Sequence, residues 1–338
     1  MRRLVAIAFA AVLATACQRD QDRLPEYVLS GEIMGTSFSV KIVATQELDD
    51  QEALDREIRE RLTTIDSTMS TYRPESELSV FNAEASTDWR PVSAALCQVV
   101  DGALEISHMT DGAFDITVGP LVNLWGFGPT KLVDEPPADA EISAALERSG
   151  YDKLAADCGR PALRKSRGDM YVDLSGYAKG YAVDALAELL DGHGFEDYLV
   201  EIGGEIRVRG LNAAAADWSI AIEKPEAGSR SVQTIVRLTD VALATSGDYR
   251  NFFEVDGRRY SHTIDPATGR PVEHNAASVT VIDPSTARAD GLATALLVMG
   301  PEDGLAFAEQ NELAAYYLVR TDDRFEDRMS TRFTGLLH

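Results

Sequence analysis

Basic residues, histidines and cysteines are all scarce in this chain, and each scarcity removes a class of function. Its 32 lysines and arginines face 55 aspartates and glutamates over 338 residues, a formal charge of −23. Nucleic-acid binding depends on basic patches that neutralise phosphates, so that role is excluded on charge. Any anionic ligand must then be held by a local device, such as a metal, a lysine or backbone amides, because the overall field repels it. Five histidines are scattered and three cysteines (Cys17, Cys97 and Cys158) form no cluster, which argues against a zinc site. Neither a Gly-x4-Gly-Lys-Ser/Thr phosphate loop nor the dinucleotide-fold fingerprint is present. There is no internal repeat at a fixed period and no low-complexity tract.

What is present begins with a leader. Arg2 and Arg3 precede an apolar run from Leu4 to Leu13, then Ala14-Thr15-Ala16 and Cys17. The run is too short to span a membrane and reads as a signal peptide over 1–16. The cysteine after small residues resembles a bacterial lipoprotein signal, although Leu13 stands four residues before it rather than three. That resemblance implies an acylated Cys17, a charged tether over 17–26 and a folded domain over 27–338, held by lipid on the periplasmic face of the cell envelope. Each buried acyl methylene contributes about 0.8 kcal/mol, so several chains hold such a body at a membrane. Cys97 and Cys158 remain, and their spacing fits a disulfide or two buried thiols equally.

The chain is organised around Asp173-Leu-Ser-Gly176-Tyr-Ala-Lys179-Gly180-Tyr-Ala-Val-Asp184. Met170–Val172 before it reads as a strand, and Ala182, Leu186, Leu189 and Leu190 after it give the buried face of a helix. A strand, a glycine turn and a helix with lysine in its first turn suit a phosphate, since a helix N-terminus offers unpaired N–H groups. A plain strand-to-helix turn with a solvated lysine reads equally well from this stretch alone.

Elsewhere, Tyr27–Val43 is strand-like, and Leu54, Ile58, Leu62, Ile65 and Met69 mark an amphipathic helix over 51–69 that Pro74 stops. Ser93 caps a helix through Met109, with His108 near its end. A Gly- and aromatic-rich loop runs from Thr110 to Gly128, and an exposed connector over 129–139 precedes a short helix at Glu141–Arg148. Strands follow at Tyr198–Ile202, Glu205–Val208, Trp218–Glu223, Gln233–Leu238 and Val241–Thr245, and Gly203-Gly204 joins the first two as a tight hairpin. Arg250–Val255 and Arg259–Ile264 flank Asp256-Gly257. A strand at Ser278–Ile282, helices at Arg288–Met299 and Glu302–Gln310, and a strand at Ala314–Arg320 complete the pattern. Short turns between strands predict an antiparallel α+β fold rather than a doubly wound one. His193, His274 and His338 have no evident partner and read as solvated.

Two further stretches carry chemistry. Pro and Gly at fixed offsets in Ser261-His262-Thr-Ile-Asp265-Pro-Ala-Thr-Gly269 force a turn past a strand, presenting His262 and Asp265 beside the hydroxyls of Thr245-Ser246-Gly-Asp-Tyr249. Asp290 and Thr294 are four apart on a predicted helix and share one face. A carboxylate and a hydroxyl are hard oxygen donors suited to Mg²⁺.

Met34-Gly-Thr, Tyr72-Arg73, Thr110-Asp-Gly-Ala-Phe-Asp115, Val118-Gly-Pro, Asp173–Gly180, Gly203-Gly204, Thr245–Tyr249, His262–Gly269 and Asp290-x-x-Ala-Thr294 occur in the order found in ApbE-type flavin transferases, long called thiamine biosynthesis lipoproteins. The resemblance covers about residues 27–320. It implies an α+β fold of mostly antiparallel sheets with packed helices, in two closely joined lobes with a flavin site between them. It also implies Mg²⁺-dependent cleavage of FAD, attachment of FMN through its phosphate to a threonine of a target flavoprotein, and release of AMP. The expected acceptor is a membrane-bound redox subunit. Flavin contacts are implied at Met34, Tyr72, Ala113, Phe114, Asp115, Asp173, Lys179 and Ile264. Mg²⁺ ligands are implied at the Gly176 and Ala293 carbonyls, Asp290 and Thr294. Tyr177 and Glu201 depart from the family pattern. His262 or Asp265 is expected to help deprotonate the acceptor hydroxyl, against an alternative in which both only fix the turn. Two other outcomes of the same site are FAD hydrolysis to FMN and AMP, and FAD binding without turnover; a third reading, a structural envelope lipoprotein, treats the glycines as turns alone.

Overall fold

Eight strands follow one another in space in the order in which they occur in sequence. They are β1 (Glu26–Ile33), β2 (Thr36–Val43), β3 (Tyr198–Ile202), β4 (Glu205–Arg209), β5 (Val241–Gly247), β6 (Ala276–Asp283), β7 (Ala314–Arg320) and β8 (Phe325–Met329). Every neighbouring pair is antiparallel. The computed structural model describes residues 23–44, 50–129, 135–225, 231–248, 252–255, 257–322 and 324–337. The leader, Cys17 and most of the tether lie outside the described residues, as do Tyr249, Arg250, Asp256 and His338.

Helices enter as insertions in this meander: α1 (Gln51–Met69), α2 (Glu77–Ala83), α3 (Ala94–Met109), α4 (Gly119–Leu124), α5 (Asp139–Leu146), α6 (Ala178–Gly192), α7 (Thr286–Gln310) and α8 (Thr331–Thr334). α1 buries the five residues that its spacing marks, and the Asp50 carboxylate caps it by accepting from the Ala53 N–H at 2.8 Å. The Ser93 hydroxyl caps α3 through the Leu96 N–H at 3.1 Å. On one face of the sheet Val40, Val200, Val279 and Tyr317 meet helical residues such as Ile58, Leu186 and Leu296. On the other, Leu199, Leu243 and Tyr316 meet a ribbon of Trp218–Glu223 and Val232–Leu238. A smaller cluster of Leu121, Trp125, Ile142, Ala145 and Ile264 forms a second lobe against the helical side.

The contact that fixes α6 against α7 is unusually close. A Cβ on Gly180 would stand 2.5 Å from the Thr286 carbonyl oxygen and 2.7 Å from the Ala287 Cα, both backbone. Each helix caps the other. The Asp184 carboxylate, on α6, accepts from the Thr286 and Ala287 N–H groups at 3.0 Å and from the Ser285 and Thr286 hydroxyls at 2.8 Å. Asp290, on α7, accepts from the Gly180 N–H at 3.1 Å. Two carboxylates thus satisfy first-turn donors that would otherwise be orphaned and complement both helix dipoles.

Several expectations need correction. The strand-like run from Tyr27 to Val43 is a hairpin, because Met34 (φ 51) and Gly35 (φ 73) both adopt the left-handed conformation that a two-residue turn requires. Met170–Val172 joins no sheet. Its ladder partner is a side chain: Asn82 Nδ2 donates to the Val172 carbonyl and the Val172 N–H donates to Asn82 Oδ1, both at 2.8 Å. Asn82 is itself steadied at the end of α2, where the buried Lys165 ammonium donates to the Phe81 (3.0 Å), Asn82 (3.3 Å) and Gly168 (3.3 Å) carbonyls. The Thr110–Gly128 loop contains α4, with Pro120 in its first turn. α1 ends at Met69, ahead of Pro74, where Ser70 turns extended. α5 runs from Asp139 rather than Glu141 and stops at Leu146 rather than Arg148. The hairpin after β5 pairs Phe252–Val255 with Arg258–Ser261, while Ile264 pairs with Pro271 in a separate ribbon. α7 bends at Gly300 (φ 80) before Pro301, which gives the two helical stretches that the sequence predicts. His193 is not merely solvated: its Nε2 lies 2.7 Å from Glu57 Oε2. His274 Nδ1 accepts from the Ala276 N–H at 3.3 Å. Cys97 and Cys158 form a disulfide across 61 residues, tying α3 to the turn after the Leu154–Asp157 strand.

Gly180→Ala is expected to force the two helices apart and to destabilise the fold by about 1–3 kcal/mol, in the range of overpacked contacts. Urea unfolding monitored by circular dichroism measures this, and an unchanged midpoint would disprove the close-contact account.

Candidate active site

The turn Asp173–Gly176 leads into the start of α6. The Asp173 N–H donates to the Ile116 carbonyl at 2.7 Å, and its Oδ1 accepts from the Ser175 N–H at 2.9 Å. Lys179, in the first turn of α6, then reaches across to β4 and α7. Its Nζ donates to Glu205 Oε1 at 2.8 Å and stands 3.7 Å from Asp290 Oδ2. Both carboxylate side chains are 4% exposed and Lys179 is 28% exposed. Glu205 Oε2 is buried with no hydrogen-bond partner among the described residues. Two buried acids therefore share one ammonium. Burial pushes the Asp290 carboxyl up to about 7, with Lys179 pulling it down and Glu205 pushing it further up. Burial works against the Lys179 charge, yet Asp290 and Glu205 outweigh it and hold the ammonium above its usual range.

One turn further along α7, Thr294 Oγ1 lies 3.0 Å from Ser246 Oγ on β5. A Cβ on Gly176 would stand 3.1 Å from Thr294 Oγ1 and 3.2 Å from the Phe114 ring, so only glycine lets the turn lie between them without displacement. This end of the cleft gathers two carboxylates, hydroxyls and a close-lying backbone turn. Among the described residues no three His, Cys, Asp or Glu side chains converge as a metal-ligand set.

Aromatic rings line the cleft as well. Phe114 is buried, and Asp115 beside it accepts from the Thr117 N–H and hydroxyl (2.7 Å each) and from the Tyr151 N–H (3.0 Å). Burial raises the Asp115 carboxyl and these three bonds oppose the rise. Tyr72 stands 66% exposed at the rim, with its hydroxyl 3.4 Å from the Phe127 carbonyl. The Phe127 ring meets His262 edge-on at 6.2 Å and continues through Phe253 (5.5 Å), Tyr260 (5.1 Å) and Trp125 (5.6 Å). The Trp125 indole N–H donates to the Gly269 carbonyl at 2.8 Å, which ties this ladder to the turn after His262.

Between the main body and the smaller lobe lies a cleft of about 390 Å³. Tyr72, Ala113, Phe114, Asp115, Asp173, Gly176, Lys179, His262, Ile264, Asp290 and Thr294 all line it. Three expected site residues do not. Met34 occupies the β1–β2 turn and packs on the core. Ala293 is fully buried beside Thr294. Asp265 directs its carboxylate to the Ala267 N–H (2.9 Å) and the Thr268 hydroxyl (2.8 Å), which closes the turn. Glu205 and Phe127 line the cleft without having been expected as site residues, while Ser246 comes from the hydroxyl-bearing Thr245–Tyr249 stretch. Of these, Glu205 carried a signal, since it follows the Gly203-Gly204 turn directly. Tyr177 turns away from the cleft into space left by Gly102 and Gly291, and Glu201 lies within β3.

A cleft lined by aromatic rings, buried carboxylates, an ammonium and hydroxyls is that of an enzyme acting on a flat, anionic cofactor-like molecule. The comparisons narrow the class. The model of the ApbE family matches residues 34–317, and the chain belongs to that family. A FAD:protein FMN transferase of Vibrio cholerae is 46% identical over 334 residues, covering 99% of this chain and 98% of the relative. One from Haemophilus influenzae is 41% identical, covering 98% and 96%. The structure of the flavin transferase ApbE from Vibrio cholerae matches with a TM-score of 0.85 over 93% of this chain and 99% of that one, at 46% identity. The apo flavinyl transferase ApbE of Pseudomonas stutzeri matches with the same TM-score at 41% identity, covering 93% and 98%.

The raised Asp290 carboxyl has a consequence for stability. Between the unfolded value near 4 and the folded value of about 7, the native protein holds a proton that the unfolded chain has lost. Stability of protein free of divalent cations therefore falls as pH rises through this window and levels off above it. Thermal unfolding from pH 5 to 8 measures this, and Asp290→Asn is expected to remove that part of the slope.

Proposed function

We propose that this protein transfers FMN from FAD to a hydroxyl of an acceptor protein and releases AMP. The observation that carries the reading is the cleft's mixed lining: its aromatic rings suit the isoalloxazine ring, while Lys179, Asp290, Thr294 and Ser246 gather to meet a diphosphate. The acceptor oxygen bonds to the FMN phosphorus, the P–O bond of the diphosphate breaks towards AMP, and the acceptor proton leaves to a base. His262 takes that role in our reading, because it lines the cleft while the Asp265 carboxylate is engaged in its own turn. Lys179 supplies positive charge to the diphosphate oxygens, and Phe127 orients the His262 ring.

The donor set also fits Mg²⁺. Asp290 and the Thr294 hydroxyl are hard oxygens one helical turn apart, the Gly176 turn approaches Thr294 with no side chain between them, and the orphaned Glu205 oxygen leaves the cluster short of positive charge. In this reading Asp290, Thr294 and the Gly176 and Ala293 carbonyls hold the ion, which when bound neutralises charge building on the diphosphate. The acceptor would be a threonine of a membrane-bound redox subunit on the periplasmic side, and the leader with Cys17 would anchor the enzyme there. No helix among the described residues is long and apolar enough to cross a membrane, so the lipid would be the hold. Cys17→Ser should move the protein from the membrane to the soluble fraction on cell fractionation; retention on the membrane would refute the anchor.

Incubating the protein with FAD, Mg²⁺ and a threonine-bearing acceptor tests the chemistry. AMP together with a mass increase of the acceptor is the expected result. AMP alone would indicate hydrolysis, and yellow protein without AMP would indicate a carrier. Asp290→Ala should lower Mg²⁺-dependent AMP release by at least about 10²-fold. His262→Ala should cost about 10²–10⁴-fold in kcat and remove the acidic limb of the pH–rate profile, where the base becomes protonated. A stability loss without that change in the profile would leave His262 a structural role only.

A further inference from the structure

We propose that Glu205 is a positioning residue that parks the Lys179 ammonium away from Asp290, so that the Asp290 carboxylate stays open to a divalent cation. The inference deepens the Mg²⁺ reading above and rests on it. Lys179 lies within reach of both acids, and the distances show which one holds it: 2.8 Å to Glu205 Oε1 against 3.7 Å to Asp290 Oδ2. Asp290 is instead bonded through the same Oδ2 to the Gly180 N–H. An ammonium is a compact charge on a flexible stem with three donors, so it follows the nearest desolvated anion. Without Glu205, that anion is Asp290, and a charge-assisted bond there would compete with a cation for the same carboxylate.

The hold is built into the backbone. Gly203 (φ 67) and Gly204 (φ 110) form the β3–β4 turn, and Glu205 is the first residue of β4, paired with Ile202. A Cβ on Gly203 would stand 3.0 Å from Thr36 and 3.3 Å from Glu205 Oε2, so the turn passes close over the carboxylate. Burying an acid here is costly unless something needs it, and one of its oxygens has no partner among the described residues. Glu205 therefore also offsets the Lys179 charge, which favours a divalent ion at Asp290, while Lys179 stays partly exposed to the cleft.

The test is binding of Mn²⁺, a paramagnetic probe for the Mg²⁺ site, to full-length folded protein without FAD, followed by electron paramagnetic resonance. Glu205→Ala is expected to weaken Mn²⁺ binding at least tenfold, and Glu205→Gln, which keeps a weaker acceptor for the lysine and the side-chain volume, by less. Adding Lys179→Met to Glu205→Ala should restore most of the lost affinity, whereas Lys179→Met alone should change it little. That non-additive rescue is the signature of parking, because a merely structural lesion is not repaired by removing the lysine. Equal effects of Lys179→Met in both backgrounds would overturn the inference and leave only a through-space charge effect. Unchanged affinity in Glu205→Ala would overturn it while leaving the metal reading intact. Failure of the unaltered protein to bind Mn²⁺ would overturn both.

Discussion

The molecule depends on two helix starts held face to face. α6 and α7 each donate first-turn N–H groups to a carboxylate of the other, and Gly180 supplies the closeness that makes both caps reach. The arrangement does two things at once. It satisfies buried donors that neither helix can satisfy alone. It also places Lys179, Asp290 and Thr294 on one wall, because each lies within about a helical turn of a capping contact. The cleft chemistry is thus a by-product of how two helices are joined.

An acidic protein that handles an anionic molecule must concentrate its positive charge. Here the solution is local, with one ammonium between two buried acids and a rim of hydroxyls. Aromatic rings complete the lining and are tied to the turn after His262 by the Trp125 indole N–H. The cleft draws Lys179, Asp290, Thr294 and Phe114 from the main body and Phe127 and Ile264 from the smaller lobe. The cleft exists because the two pack against each other at that seam.

Much of this was legible from residue order. Leu54 to Met69 fixed the register of α1, Ser93 marked the start of α3, and the separate helices at Arg288–Met299 and Glu302–Gln310 anticipated the break where α7 bends. Asp290 and Thr294 shared a face by helical spacing alone. What escaped notice was long-range. Nothing near Met170 announces that its strand partner is the side chain of Asn82, some ninety residues earlier in the chain. His193 could not be paired with Glu57 from local pattern, and the choice between Cys97–Cys158 and two free thiols needed the distance between their backbones. Asp265 looked as chemical as His262 in sequence, since a carboxylate that closes an Asx-type turn and one that takes a proton share the same letter. Glu205 was hidden because its significance lies in which cation it meets.

The sheet's simple order conceals an uneven folding problem. Most neighbouring strands are joined by modest connections, but β2 meets β3 only after the chain from Ala44 to Asp197 has been laid down. Closing a loop of that length carries an entropic cost and slows assembly relative to local hairpins. The bond between Cys97 and Cys158 lies within this excursion and short-circuits a large part of it. In an oxidising environment the β1–β2 hairpin therefore has a shorter effective path to its docking edge, which makes the cross-link a kinetic aid to completing the sheet as well as a brace for the finished domain.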